Sequence, residues 1–562
     1  MTIRLLAAAA LLCSAPALAQ EEETSSPAYQ AAARAYEAAE RNDNAEALRQ
    51  ARIAAQAAPS NREYQRLLFS MLVANRQREE AVQTADRISR QFGADPSFDV
   101  ERAGLFMEME RRLEARSLLT GAIASRRLSA AEERNARLTL ADALQAEGNA
   151  QAALDALAPL QDEASYDVLS RRGFALEALQ QRAAAEAAFE AAYNLTVLRE
   201  ERALMVRSRI PNLVELGRRD EARALFDRER ASGLLANSPP LELAYLASSV
   251  GARELAREQF RLAERAGTLT GTSLLDAGYN AKESGANQDA IRYFRSALEA
   301  DRSGTARLEA QTRLYVTQEI TEIGRTVGGY VSVSRSPTGT FPGAVPGGRA
   351  ATYAGGEIYW RPPGIGYRGG RTVEVFGRAY TTIAADEGAT GAETTQGYVG
   401  VRTRPILGYD LVFEASHLFA IGEEAQNDWL LRAAYSMGEG GGIRLDAPNW
   451  AEWNLFAEAA QFLKSGQTIA SLEGRYGRAI RLGGIRDYTT LTGFIGGRAN
   501  YDSTFAEPFS IGVGPGLSLR RGFGANAYRS PWSILDLTLQ YRLGLAGGDQ
   551  AEGVYAGATL SY

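Results

Sequence analysis

The chain has 562 residues, more than one hydrophobic core organises, so at least two domains are expected. A formal charge of −6 leaves no basic surplus of the kind that nucleic-acid binding uses, and no nucleic-acid partner is expected. One cysteine, Cys13, and one histidine, His417, are too few for a zinc centre, so no metal and no cofactor are expected either.

The first element reads as an export signal. Arg4 supplies a positive end, Leu5 to Leu12 an apolar run, and Ala17-Leu18-Ala19 a small-x-small cleavage site, giving a signal over residues 1–19 and a mature start at Gln20. Cys13 lies inside this signal behind the bulky Leu12, which argues against lipid attachment there. Beyond it no stretch of about 20 apolar residues occurs, so any passage through a membrane must be made by strands.

Residues 20–320 read as a periplasmic helical-repeat domain, rich in Ala, Leu, Glu and Arg and poor in Gly. Ala47, Ala81 and Ala115 are 34 residues apart, as are Ala222, Ala256 and Ala290, with Ala153 and Ala185 between the two series. Four residues after these anchors stand Ala51, Ala85, Leu119, Leu157, Phe189, Phe226, Phe260 and Phe294. Gly148, Gly217, Gly251 and Gly285 precede their anchors by five residues, where a turn between two helices is expected. A small anchor lets two helices approach, and the larger residue one turn on fills the space beside it. The pattern resembles the tetratricopeptide repeat (TPR), most clearly at Leu274, Gly278, Ala290, Phe294 and Ala297, in about eight units. Arrays of this kind mostly bind other proteins or ligands along a concave surface.

From about Thr326 the period becomes two. Strands are expected at 327–335, 351–360, 371–382, 394–403, 408–419, 428–437, 451–462, 467–478, 487–499, 508–520, 533–543 and 551–562. In the clearest, Leu535, Leu537, Leu539, Tyr541 and Leu543 alternate with Asp536, Thr538, Gln540 and Arg542. The expected fold class is therefore α plus β in two domains. An all-α TPR-like solenoid precedes an antiparallel transmembrane β-barrel of about 12 strands over residues 321–562. Closure follows from the cost of unpaired N–H and C=O groups at a sheet edge in lipid. Tyr330, Trp360, Tyr409, Trp429, Trp453, Tyr541 and Tyr562 are expected in an aromatic girdle. By strand parity the candidate lumen-lining residues are Glu374, Arg378, Arg402, Asp410, Glu414, Arg432, Glu458, Glu473, Arg475, Arg498, Arg520, Asp536 and Arg542. The last strand carries a candidate signal for the barrel-assembly machinery in Val554, Ala558, Leu560 and Tyr562.

Gly512-x-Gly514, Arg520, Phe523, Tyr528, Ser530-Pro531, Asp536-Leu537 and Gln540-Tyr541-Arg542 resemble the C-terminal barrel of phage adsorption protein A (NfrA). The entry segment from Thr321-Glu322-Ile323 to Tyr330-Val331-Ser332 is similar to that family's helix-to-strand junction, and the resemblance spans about residues 310–562. It implies TPR units joined to an outer-membrane barrel, association with an inner-membrane glycosyltransferase, envelope polysaccharide export, and use as a phage receptor.

Covalent chemistry finds little support. Ser416 and His417 are strand neighbours and point to opposite faces. Asp410 and Glu414 share a face as glycosidase acids would, but in a barrel they are expected to pair with Arg. The glycine run 438–442 lacks the Lys and following helix of a phosphate loop. No enzymatic activity, and no catalytic residue, is expected. The favoured reading is export of an exopolysaccharide across the outer membrane, the periplasmic arm receiving a polysaccharide synthase, peptidoglycan or the emerging polysaccharide chain. The alternative is a phage or surface receptor, or an envelope scaffold, with a closed barrel as its anchor in outer-membrane lipid.

Overall fold

A computed structural model describes residues 26–336, 351–483, 488–547 and 551–562. The export-signal reading of residues 1–19 lies outside them. Among the described residues the chain forms seventeen α-helices and then twelve long strands. It divides into two compact units, Met1–Asn237 and Ser238–Tyr562.

The helices fall into eight hairpins. They are α1 (Pro27–Glu40) with α2 (Asn44–Ala57), α3 (Arg62–Ala74) with α4 (Arg78–Phe92), α5 (Pro96–Glu108) with α6 (Arg112–Ala124), and α7 (Ala130–Ala146) with α8 (Ala150–Leu157). There follow α9 (Tyr166–Ala178) with α10 (Arg182–Leu195), α11 (Arg199–Glu215) with α12 (Arg219–Ala231), α13 (Pro240–Ser249) with α14 (Arg253–Arg265), and α15 (Ser273–Glu283) with α16 (Asn287–Ser303). One further helix, α17 (Ala310–Gly324), ends the series.

Every alanine anchor lies in the second helix of its hairpin and is at most 1% exposed. The eight residues four positions later are at most 2% exposed. Helix contact is close enough that a Cβ on Gly173 or Gly278 would meet the ring of Phe189 or Phe294 at 2.5 Å. All eight hairpin turns are left-handed at the position five before the anchor, with φ between 58° and 79°. Glycine fills four of these positions, and Asn42, Arg76, Glu110 and Gln180 fill the others, so the early repeats keep the turn without its usual residue. Among the described residues of the first unit two apolar clusters stand out. One is built around Phe69, Leu72, Ile88 and Phe98, the other around Phe106, Leu119, Leu157 and Val168.

The second unit holds α13 to α17 and the sheet. The strands are β1 (Val327–Ser336), β2 (Ala351–Trp360), β3 (Arg371–Ala384), β4 (Gln396–Arg404), β5 (Asp410–Ala420), β6 (Asp428–Glu439), β7 (Asn449–Phe462), β8 (Thr468–Leu482), β9 (Thr489–Asp502), β10 (Phe509–Phe523), β11 (Ser533–Ala546) and β12 (Gly553–Ser561). Each pairs antiparallel with its sequence neighbours, and β12 pairs with β1, so the sheet is a closed barrel. A two-residue piece, Tyr367–Arg368, adds to the start of β3. Tyr562 exchanges two hydrogen bonds with Gly329, N–H to O at 2.9 and 3.0 Å, and extends the closing seam to the end of the chain.

Since β1 starts next to α17, the odd strands run away from the helices and the even strands return. The barrel therefore has a helix-side mouth and a far mouth. The outer wall is aliphatic in its middle, with Val331, Ile358, Val399, Leu431, Ile495, Leu517 and Leu539 exposed. Exposed aromatics stand near both ends: Trp360, Tyr409, Phe523 and Tyr562 on the helix side, Phe419, Trp429, Tyr501 and Phe509 on the far side. Tyr330 departs from the girdle expectation. It pairs in register with Glu357 and turns inward, where its hydroxyl meets that of Tyr380.

Candidate functional site in the barrel lumen

Ladder register decides what faces the lumen, because directly paired residues share a face. The row Tyr330, Glu357, Arg378, Tyr398, Leu418, Asp428 is inward across six strands. Neighbouring inward rows bring acids and arginines into a continuous belt from β2 to β7. Arg361 pairs with Glu374 at 2.9 Å, and Glu374 also with Arg402. Arg402 pairs with Glu357 at 2.7 Å, and Glu357 with Arg378 at 2.7 Å. Glu414 takes Arg378 at 3.2 Å and Arg432 at 3.3 Å, and Arg432 reaches Glu458 at 2.7 Å. The side chains of Glu414 and Glu357 are 0% and 1% exposed, and that of Arg378 is 7% exposed. Burying charges this deeply is tolerable only because each acid meets an arginine fork; an unpaired one would cost several kcal/mol.

The remaining sequence-derived candidates divide. Arg475 pairs with Glu452 at 2.9 Å, Arg498 with Glu473 at 3.7 Å, and Arg520 with Asp536 at 2.9 Å, all in the β7–β11 part of the wall. Arg542 donates to Gln540 at 2.8 Å, and Gln540 in turn donates to Gly496 and Gly514 carbonyls. Asp410 has lumen parity but begins its strand at the helix-side rim, where it is exposed and pairs with Arg404 at 3.1 Å. Val554, Ala558 and Leu560 face outward on β12, and Tyr562 continues that face.

Three residues of the site are not among the candidates read from the sequence. Glu357 and Glu452 follow the parity of their strands and were legible there. Arg361 lies one residue past β2, in a loop without periodicity, and carried no sequence signal. The lumen is also less polar than expected. Phe376, Tyr380, Tyr398, Leu418, Leu430, Phe462 and Ile469 form an apolar cluster inside it, because small residues opposite leave room for large ones. Gly355 lies so near the Tyr380 ring, and Gly400 so near Phe376 and Ser416, that a Cβ on either would meet an atom within 2.6 Å. The interior is thus packed over β3 to β8.

At the far mouth, buried polar side chains fix the turns. Gln396 donates to Phe419 and Gln426 carbonyls and accepts the Gln426 N–H. Asp428 accepts the N–H groups of Trp429, Lys464 and Ser465 at 2.7–2.9 Å. Asp502 accepts from Gln467 and Thr504.

The helix-side mouth is occupied by α17. Gln311, in its first turn, accepts the Leu445 N–H at 2.6 Å from the β6–β7 loop. Thr321 meets Ser530 of the β10–β11 loop, N–H to Oγ1 at 3.2 Å. Glu322 receives Arg361 beside β2, carboxylate at 2.8 Å and carbonyl at 3.1 Å. Arg325, just past the helix, lies over the Trp532 ring. Tyr528, in the same loop as Ser530, packs under Arg302 of α16 and hydrogen bonds with Glu299. The Thr321-Glu322 entry segment and the Tyr528, Ser530 segment, both part of the resemblance read from sequence, therefore meet here.

Ser416 is fully buried in the lumen, while His417 faces outward with its ring against Trp429 at 4.8 Å. Among the described residues no group of three His, Cys, Asp or Glu is placed to hold a metal ion, and no helix is long and apolar enough to cross a membrane.

Residues 387–558 match the family model described as Bacteriophage N adsorption protein A C-term, which takes in β4 to β11 and most of β12. No curated protein matches. Among solved structures, a tetratricopeptide repeat protein from Parabacteroides merdae is 13% identical, with 43% of this chain and 93% of that chain covered and a TM-score of 0.34. Pseudomonas aeruginosa pilF is 21% identical, with 37% and 91% covered and a TM-score of 0.30.

Proposed function

We propose that this chain is an outer-membrane anchor that holds a TPR docking arm in the periplasm and displays at the cell surface the loops pinned by Gln396, Asp428 and Asp502. The observation that carries this reading is a barrel closed in two ways: the β2–β7 ion-pair belt and the apolar cluster beside it fill the lumen along β2 to β8, and α17 is tied to loops at the helix-side mouth. An aliphatic outer wall with aromatics near both ends suits insertion in lipid, and strands of 9–15 residues are long enough to cross it. The family description matched over residues 387–558 supports adsorption at the exposed loops. Loops held by Gln396, Asp428 and Asp502 present a preorganised surface, which lowers the ordering cost of binding. No covalent chemistry is assigned to the site.

The full chain, reconstituted in a planar bilayer, is expected to show no steady conductance. A steady open pore would overturn the anchor reading. The second reading, export of an exopolysaccharide past a displaced α17, is favoured by the ion pair that joins that helix to the lumen belt. It requires that deleting the gene abolish the surface polymer.

A further inference from the structure

We propose that α17 is a gate across the helix-side mouth, latched by Thr321 and Glu322 and coupled through Arg361 to the ion-pair belt in the lumen. This inference rests on the barrel residing in a membrane.

Ring topology shows that the helix lies across the opening. Its first turn is tied to the loop between β6 and β7, and its last residue leads into β1, half of the twelve-strand circle away. Its second half touches the β10–β11 loop on one side and Arg361, at the end of β2, on the other. From Gln311 to Gly324 the helix is about 20 Å long at 1.5 Å per residue. Twelve strands spaced about 4.8 Å and tilted about 40° enclose a ring roughly 24 Å across between backbones, so the two lengths agree.

Polar contacts tie the helix to the barrel loops, while its Leu314, Val316, Ile320 and Ile323 are buried. Glu322 and Glu374 share the Arg361 guanidinium, at 2.8 and 2.9 Å, and Glu374 also holds Arg402. Arg361 is 7% exposed, whereas the Glu322 side chain is 45% exposed, so water reaches the latch from the helix side. Moving α17 aside removes one of the two carboxylates on Arg361 and opens a wetted path to the belt.

The test uses the full chain with Cys13→Ser, reconstituted in planar bilayers, and compares it with the double variant Thr321→Val, Glu322→Ala. The expected result is a chain closed almost throughout, and a double variant whose open fraction is at least tenfold higher. Adding Gln311→Cys and Leu445→Cys and joining the pair with a short thiol cross-linker should return the double variant to the closed level. A double variant that migrates as a folded barrel and stays silent overturns the gate and leaves the anchor reading standing. Equal conductance with and without the cross-link also overturns it. If the double variant does not fold, the cysteine pair in the otherwise unchanged chain decides. At least tenfold fewer voltage-driven openings after cross-linking supports the gate, and equal traces reject it.

Discussion

Glu110 ends its hairpin turn at φ 58°, a conformation that costs an L side chain about 1 kcal/mol and glycine almost nothing. Gly148, Gly217, Gly251 and Gly285 occupy the same place in other repeats. Glu110→Gly is therefore expected to stabilise the repeat unit by about 0.5–1 kcal/mol, read as a higher thermal midpoint by circular dichroism. A lower midpoint would mean that the Glu110 side chain makes a contact outweighing its backbone cost. In the lumen, Glu414 is the acid shared by Arg378 and Arg432. Each arginine keeps a second acid, so Glu414→Ala should cost about 3 kcal/mol, the lower end for breaking a buried pair. The urea midpoint of the barrel in lipid vesicles checks this, and an unchanged midpoint would show that water already reaches the belt.

The start of α7 gives a prediction about an element. Ser129 and Glu132 form a capping box, with the Ser129 N–H donating to the Glu132 carboxylate at 2.8 Å and Ser129 Oγ accepting the Glu132 N–H at 3.3 Å. Ser97 adds a hydrogen bond from α5 at 2.6 Å. Hydrogen bonds from Ser97 and Ser129 hold the Glu132 carboxyl below the usual glutamate range. A depressed folded-state pKa stabilises above the unfolded value, near 4.3, and this contribution is lost as pH falls through the folded value. The stability of the full chain should thus fall more steeply on acidification below about pH 4.3 than that of Glu132→Gln. Parallel pH profiles for the two would contradict the assignment.

For the molecule as a whole, the decisive contrast is between the two faces of one wall. Leu539 is exposed on the outer side at mid-strand, while Gln540, the next residue, is buried in the lumen. Leu539→Arg is expected to destabilise the folded barrel in vesicles by about 2–4 kcal/mol, the cost of an arginine at the bilayer midplane. Little change in bilayer and detergent alike would mean that this wall does not face lipid. The same contrast explains why the lumen is packed with side chains over β3 to β8. Glycines such as Gly355 and Gly400 make space there for rings from neighbouring strands.

Periodicity alone determined that helical hairpins give way to strands near Thr326, that Ala47 to Ala290 are buried, and that Glu374, Arg378, Glu414 and Arg432 share one face. Each of these depends only on spacings of a few residues along the chain, which helix and strand geometry convert directly into direction. Ring closure decided the rest. Which acid meets which arginine depends on register between strands, Tyr330 turns inward through its place in that register, and the lumen is packed because rows from distant strands converge. Arg361 joins Glu322 to Glu374 only because a helix before the sheet lies beside the end of β2. Such contacts link parts of the chain whose separation no local period encodes.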